Sequence, residues 1–298
     1  MNAKTKNLAE IHLAVLLFGL SGLFGKLLTL SPTIIVLGRV FFSSIFLFMI
    51  ILYFKTDMKL KEKKHYLYLI MMGVILALHW SAFFKSIQVS TVAIGLLTFS
   101  TFPVFVTFLE PLFFKEKIKF SNILIAVVTL LGVMLVVPTF ELGNNLTQGV
   151  IWGILSGLTY AILSMMNRKF VKDYSSLVIA FYEQLIATLV LIPFYFLLRP
   201  VFDLKDILLL VVLGIVFTGV SHLLFINSLK NLKTQTAGII SSLEPVYGII
   251  FAIFLIREIP TFREIIGGIV IISTVFHSTI KAKNSIEMVS ELYKREDL

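Results

Sequence analysis

Residues 238–258 read GIISSLEPVYGIIFAIFLIRE, a run apolar enough to lie in a lipid bilayer, with Glu244 and Pro245 side by side near its middle. An ionised carboxylate at bilayer depth is costly, and a proline removes a helix hydrogen bond. The pair marks a membrane helix that is interrupted where a polar group is retained.

The rest of the chain reads the same way. Of 298 residues 58% are hydrophobic and only 14% charged, against about 25% charged in a soluble domain. The charges bunch between apolar runs of about 20 residues, the length of a spanning helix. The pattern predicts an all-α integral membrane protein with ten transmembrane helices, at 11–30, 33–54, 65–87, 90–114, 120–138, 148–168, 176–198, 205–229, 234–256 and 262–281. With both termini cytoplasmic, 19 of the 26 lysines and arginines fall on the cytoplasmic side, four on the other, and Lys26, Arg39 and Lys85 within spans. Such a bias orients a membrane protein. It also accounts for the net charge of +9 without nucleic acid as a partner. The exit of the first span, LLTLSPT, offers no small-residue cleavage site, so that span is expected to be retained. The chain has no cysteine, so neither disulfides nor thiolate chemistry enter.

The two halves look alike. TVAIGLLTFSTFPVFVTFLEPLFFKEKIKF (91–120) aligns with TQTAGIISSLEPVYGIIFAIFLIREIPTF (234–262) when Pro103 is set on Pro245. The same offset sets Lys115-Glu116 on Arg257-Glu258 and Ser86 on Ser228, and a slightly smaller one sets Gly19 on Gly157. The expected organisation is a tail (1–10), a five-helix repeat (11–140), a second (145–281) and a C-terminal tail (282–298). Five is odd, so the second repeat enters from the opposite side, the inverted-repeat logic of secondary transporters with a site at mid-membrane. LEP occurs at 109–111 and 243–245, but these are not equivalent under the repeat. Glu110 falls near a helix end, whereas Glu244 falls deep and pairs with Phe102.

With Lys26 and Arg39 in GLSGLFGKLL and SPTIIVLGRVFFSS, and with SLEPVYGIIFAIFLIREIPTFREIIGGIVII near the end, the chain resembles the drug/metabolite transporter superfamily, EamA type, over residues 11–281. That resemblance implies a ten-helix permease of the cytoplasmic membrane. It further implies a cavity among helices 1, 3, 4, 6, 8 and 9, with helices 5 and 10 peripheral, and export of amino acids, other metabolites or toxic compounds. His79 and Lys85 in HWSAFFKSI depart from the largely neutral cavity expected of the family.

Glu244 is the first candidate for substrate and proton binding, since intramembrane ionisable groups are functional by default. His79 and His222 follow, at matching depths in matching helices, as proton relays or ligands. Trp80 offers a ring for stacking, and Tyr160, Ser100 and Asn167 complete the expected substrate contacts. Pro103 and Pro245 are the expected helix breaks. Most hydroxyls of the fourth and sixth helices read as interhelical glue, Tyr160 being the exception. Glu183, Gln184 and Arg39 lie about a third of the way into their helices, where snorkelling is open to them. Arg39, typical of the family, also reads as an architectural residue pairing with backbone carbonyls or lipid phosphate. Glu116 and Glu258, beside basic residues, read as structural pairs or gates.

No HExxH, GxSxG or nucleotide-binding loop is present, which disfavours an intramembrane enzyme and direct use of ATP. No cofactor or metal is expected, and nothing in the chain speaks to oligomeric state. The expected function is proton-coupled export, by alternating access, of a small metabolite such as an amino acid or its derivative. The alternative is transport of a larger cationic or aromatic metabolite or drug, import included.

Overall fold

The computed structural model describes residues 3–114, 120–136, 141, 143–228, 240–241, 243–274 and 276–277. The Lys115–Glu116–Lys117 cluster, the stretch 229–239 that includes the start of the ninth span, and the tail from 278 lie outside the described residues.

Apolar runs bounded by proline, serine or aspartate become helices. The first span is α1 (Ala3–Ser21) and a one-turn α2 (Phe24–Leu27). Next come α3 (Pro32–Phe54), with proline in its first turn, and α4 (Lys63–Val89). The fourth span divides into α5 (Val92–Phe99) and α6 (Phe102–Phe114), and α7 (Phe120–Val136) is the fifth. Then follow α8 (Asn145–Phe170) and α9 (Ser176–Leu198), whose caps Asn144 and Ser175 accept backbone N–H groups. α10 (Leu204–Gly214) runs through a π-helical stretch (Ile215–Val220) into α11 (Ser221–Ser228). α12 (Glu244–Leu255) and a helix over 262–274 complete the described chain. Six of these segments are long and apolar enough to cross a membrane, by length and composition. Among the described residues, the structure departs from continuous α-helices inside the first, fourth, eighth and ninth spans.

Without a hydrophobic drive between helices in lipid, close packing needs small residues. α8 carries Gly149, Gly153 and Gly157 four apart, and they seat Ser86 and Ser90 of α4 and then Thr98 and the Phe99 carbonyl of α5. α4 is the hub, packed on α8, α9, α3 and α5, while α1 packs on α11 and α12. α7 shows Ile123, Leu124, Val127, Leu130 and Met134 on its exposed side. Through Gly132 it meets Val270 and Ile271 of the last helix. The fifth span thus lies at the edge of the bundle, and its exposed apolar side chains form a lipid face.

Candidate functional site

Two interrupted helices meet in the middle of the bundle, and the interruptions are built alike. α5 ends at Phe99, two turn residues follow, and α6 restarts with Phe102 and Pro103 as its first two residues. α12 starts with Glu244 and Pro245 in the same two positions. Proline fits the first turn of a helix, where its missing N–H has no intrahelical acceptor to lose. Both prolines therefore begin a helix and do not bend one. Each break also leans on a glycine. A Cβ on Gly157 of α8 would stand 3.0 Å from the Phe99 carbonyl oxygen, and one on Gly19 of α1 would stand 2.6 Å from that of Glu244.

A cavity lies between the breaks. Its polar groups are Arg39, His79, His222 and Glu244, with Ser21 at the edge. Its walls are aromatic: Phe18, Trp80, Phe83, Phe99 and Tyr160. Glu244 opens α12 and is 9% exposed, placed where a helix dipole favours negative charge. The cavity measures about 30 Å³, room for a few waters and not for a metabolite.

Arg39 is held with care. Its Nε donates to Thr218 Oγ1 at 3.0 Å, and Thr218 donates in turn to the Leu213 carbonyl five residues back, at 2.7 Å. Thr218 stands in the π-helical stretch, a distortion that is frequent at functional sites. The guanidinium carbon lies 3.8 Å from the centre of the Trp80 ring, a cation–π contact. Nη1 is buried and, among the described residues, has no hydrogen-bond partner. Trp80 also meets the edge of His222, ring centres 5.5 Å apart, and His222 Nδ1 is likewise buried without a partner. His79 Nδ1 lies 3.0 Å from the Ser156 carbonyl oxygen and 2.9 Å from Ser156 Oγ, and its ring lies 5.0 Å from that of Tyr160.

Of the residues singled out from sequence, His79, Trp80, Tyr160, His222 and Glu244 share the cavity, and Pro103 and Pro245 begin the helices beside it. Ser100 and Asn167 are not in its lining. Ser100 Oγ donates to the Leu96 carbonyl at 2.8 Å, turned back on its own helix. Asn167 lies about two turns along α8 from Tyr160. Arg39 corrects an expectation. It does not snorkel but is 1% exposed, because its face of α3 packs inward on α4, α9 and α10. Phe18, Phe83, Phe99 and Thr218 were not singled out. Nothing separates these phenylalanines from the other 25 in the chain, and the π-helical stretch leaves no pattern to read.

The EamA-like transporter family matches residues 9–137 and again 147–280, and the chain belongs to that family. It is 25% identical to the uncharacterized transporter YxxF of Bacillus subtilis (strain 168), over 98% of this chain and 96% of that one. It is 27% identical to a Rickettsia conorii (strain ATCC VR-613 / Malish 7) protein named S-adenosylmethionine uptake transporter, over 83% of each. A solved crystal structure of a protein aligns with a TM-score of 0.68 at 14% identity, covering 95% of this chain and 99% of that one, and speaks to the fold alone. The protein is a multi-pass membrane transporter.

Proposed function

We propose that the cavity binds an amphoteric metabolite carrying a carboxylate, a positive charge and an aromatic ring, and that S-adenosylmethionine is the compound to test first. The observation that carries this reading is the unpaired Nη1 of Arg39, held over Trp80 in the same cavity as Glu244. Arg39 would take a carboxylate, Glu244 a cationic centre, and Trp80, Tyr160 and Phe99 a ring by stacking. The names of the Rickettsia relatives support it. They also move the reading from a simple amino acid to the larger cationic, aromatic class, and favour uptake over export.

Transport proceeds by alternating access between two inverted five-helix repeats, with both termini cytoplasmic and the protein in the cytoplasmic membrane. The matching Phe102-Pro103 and Glu244-Pro245 starts and the double family match support the repeat. The lysine-rich 55–64 loop supports the orientation. Glu244, with His79 and His222, couples transport to protons, because a buried acid beside a mobile cation site exchanges one for the other. Relatives named as transporters speak for transport and not catalysis. Among the described residues no group of three His, Asp or Glu could hold a metal.

Proteoliposomes given labelled S-adenosylmethionine under an imposed pH gradient test this. Uptake is expected, with competition by the unlabelled compound stronger than by methionine or adenosine alone. Absence of transport by the unmodified protein under gradients of both signs overturns the substrate.

A further inference from the structure

A second group of buried polar side chains lies outside the cavity lining, near the end of the bundle where α8 turns into α9. Glu183 is 0% exposed, and among the described residues neither of its carboxyl oxygens has a hydrogen-bond partner. Asn167 of α8 is the polar group beside it, and Asn167 Oδ1 is itself buried and, among the described residues, without a hydrogen-bond partner. Gln184, next in the chain, is also 0% exposed, with both amide atoms unpaired. The backbone there is tight, since a Cβ on Gly73 of α4 would stand 3.1 Å from the Glu183 carbonyl oxygen. A buried acid with nothing to bond is stable only while it holds a proton or gains a counter-charge.

We propose that Glu183, paired with Asn167, is a second proton-binding site, lying between the cavity and the α8–α9 end of the bundle. Position supports it. Tyr160 is a cavity wall, and Asn167 follows it by seven residues on the same helix, about 10 Å along the axis. Glu183 in turn lies seven residues inside α9, about 10 Å from its start. The turn beyond is polar, with Tyr174 OH 2.6 Å from His65 Nδ1 and Lys61 paired to Asp173 at 3.2 Å. A proton arriving from that side meets Glu183 before it meets the cavity.

The other titratable groups on the packed elements face elsewhere. Arg39 on α3 is turned to Trp80 and Thr218, His79 on α4 to Ser156, and His222 on α11 to Trp80 and Phe18. At the near end of α4, His65 is bound to Tyr174, and on α9 itself Tyr182 OH donates to the Met58 carbonyl at 3.2 Å. Asn167 is left to face Glu183 from α8. The site deepens the proton-coupled reading above and rests on it for its role, although proton binding itself does not.

The test needs no substrate: infrared difference spectra of the full-length protein in detergent, recorded across a pH titration. The protonated-carboxyl region of the unmodified protein is expected to lose two buried bands as pH rises. Glu183→Gln removes one, Glu244→Gln removes the other, and Asn167→Ala moves only the Glu183 band. A Glu183→Gln spectrum identical to that of the unmodified protein overturns the proposal. So does a Glu183 band that responds to sodium at constant pH, which would make the site a sodium site. Should Glu183→Gln not fold, Glu183→Asp must shift the band, and an unshifted band is equally fatal. Failure of S-adenosylmethionine transport leaves these spectra unaffected, so the two readings fall separately.

Discussion

The two interrupted helices share a backbone and differ in what they present. At the first break Phe102 holds the position that Glu244 holds at the second, each followed by proline and each resting against a helix with a glycine at the contact. The first break is lined by rings: Phe99 and Phe102 stack with centres 5.4 Å apart, and Tyr160 stands edge-on to Phe102 at 5.0 Å. The second places a carboxyl at a helix N-terminus in the cavity shared with Arg39. One architecture thus supplies an apolar wall on one side and a charged group on the other. A site built from two such halves suits a ligand that is itself half aromatic and half charged.

The most damaging change to this asymmetry is Glu244→Gln, which leaves two neutral breaks. We expect uptake driven by a pH gradient to fall by about tenfold or more, equivalent to at least about 1.4 kcal/mol in the transport barrier. Adding Phe102→Glu to Glu244→Phe, which moves the acid to the first break, is expected not to restore it. Restored uptake in proteoliposomes would mean the halves are interchangeable.

Arg39→Lys keeps the charge but loses the planar fork and its stacking on Trp80. A lost charge-assisted hydrogen bond is worth about 1.5–3 kcal/mol, so substrate Kd should rise by roughly 10–100-fold. Calorimetry on the purified protein would show an unchanged Kd if Arg39 served only to hold α3 against Thr218.

The glycine contacts allow a graded comparison. Gly19→Ala drives a methyl to 2.6 Å from a backbone oxygen that cannot swing aside, whereas Gly157→Ala meets its nearest backbone atom at 3.0 Å. Overpacking costs about 1–3 kcal/mol, and Gly19→Ala should lie at the upper end and Gly157→Ala at the lower. Thermal unfolding in detergent with equal midpoints would remove the distinction.

The smallest effect lies outside the membrane. Glu258 accepts the Val92 N–H at 2.6 Å, in the same cluster where Lys26 donates to the Ser90 carbonyl at 2.6 Å and Thr91 to Glu264 at 2.7 Å. Partial burial holds its carboxyl above the ordinary 4.5, with the Val92 bond and Lys26 opposing. A folded value above the unfolded one stabilises fully below the unfolded value, and that contribution is lost as pH rises through the folded value. Stability should decline slightly just above 4.5, and Glu258→Gln should flatten the decline. A melting-temperature profile that keeps its slope in the variant would assign the slope to another group.

Much of this was legible in the chain itself. Hydropathy located the spans, and setting Pro103 on Pro245 paired two helix starts that the structure builds in the same register. Glu244, His79, His222, Trp80 and Tyr160 stood out as polar or amphipathic groups in apolar runs, and the structure brings all five to one cavity. Arg39 was visible as a charge but misjudged, because depth along a helix says nothing about which way the residue faces. Ser100 shows the converse: a hydroxyl beside a break looks available, yet its own helix carbonyl takes it.

The amino-acid sequence by itself determined that this is a helical membrane transporter with an acid and a proline at the centre of one span. Transfer energy and helix length are local properties that add along the chain. Only the tertiary structure decided that Arg39 points inward, that Phe18, Phe83 and Phe99 close the walls, and that Glu183 stands apart with Asn167. Those outcomes depend on the rotation of each helix about its axis. In lipid, where burying an apolar face against a neighbour gains little, glycine contacts, hydroxyls and a few buried charges set that rotation.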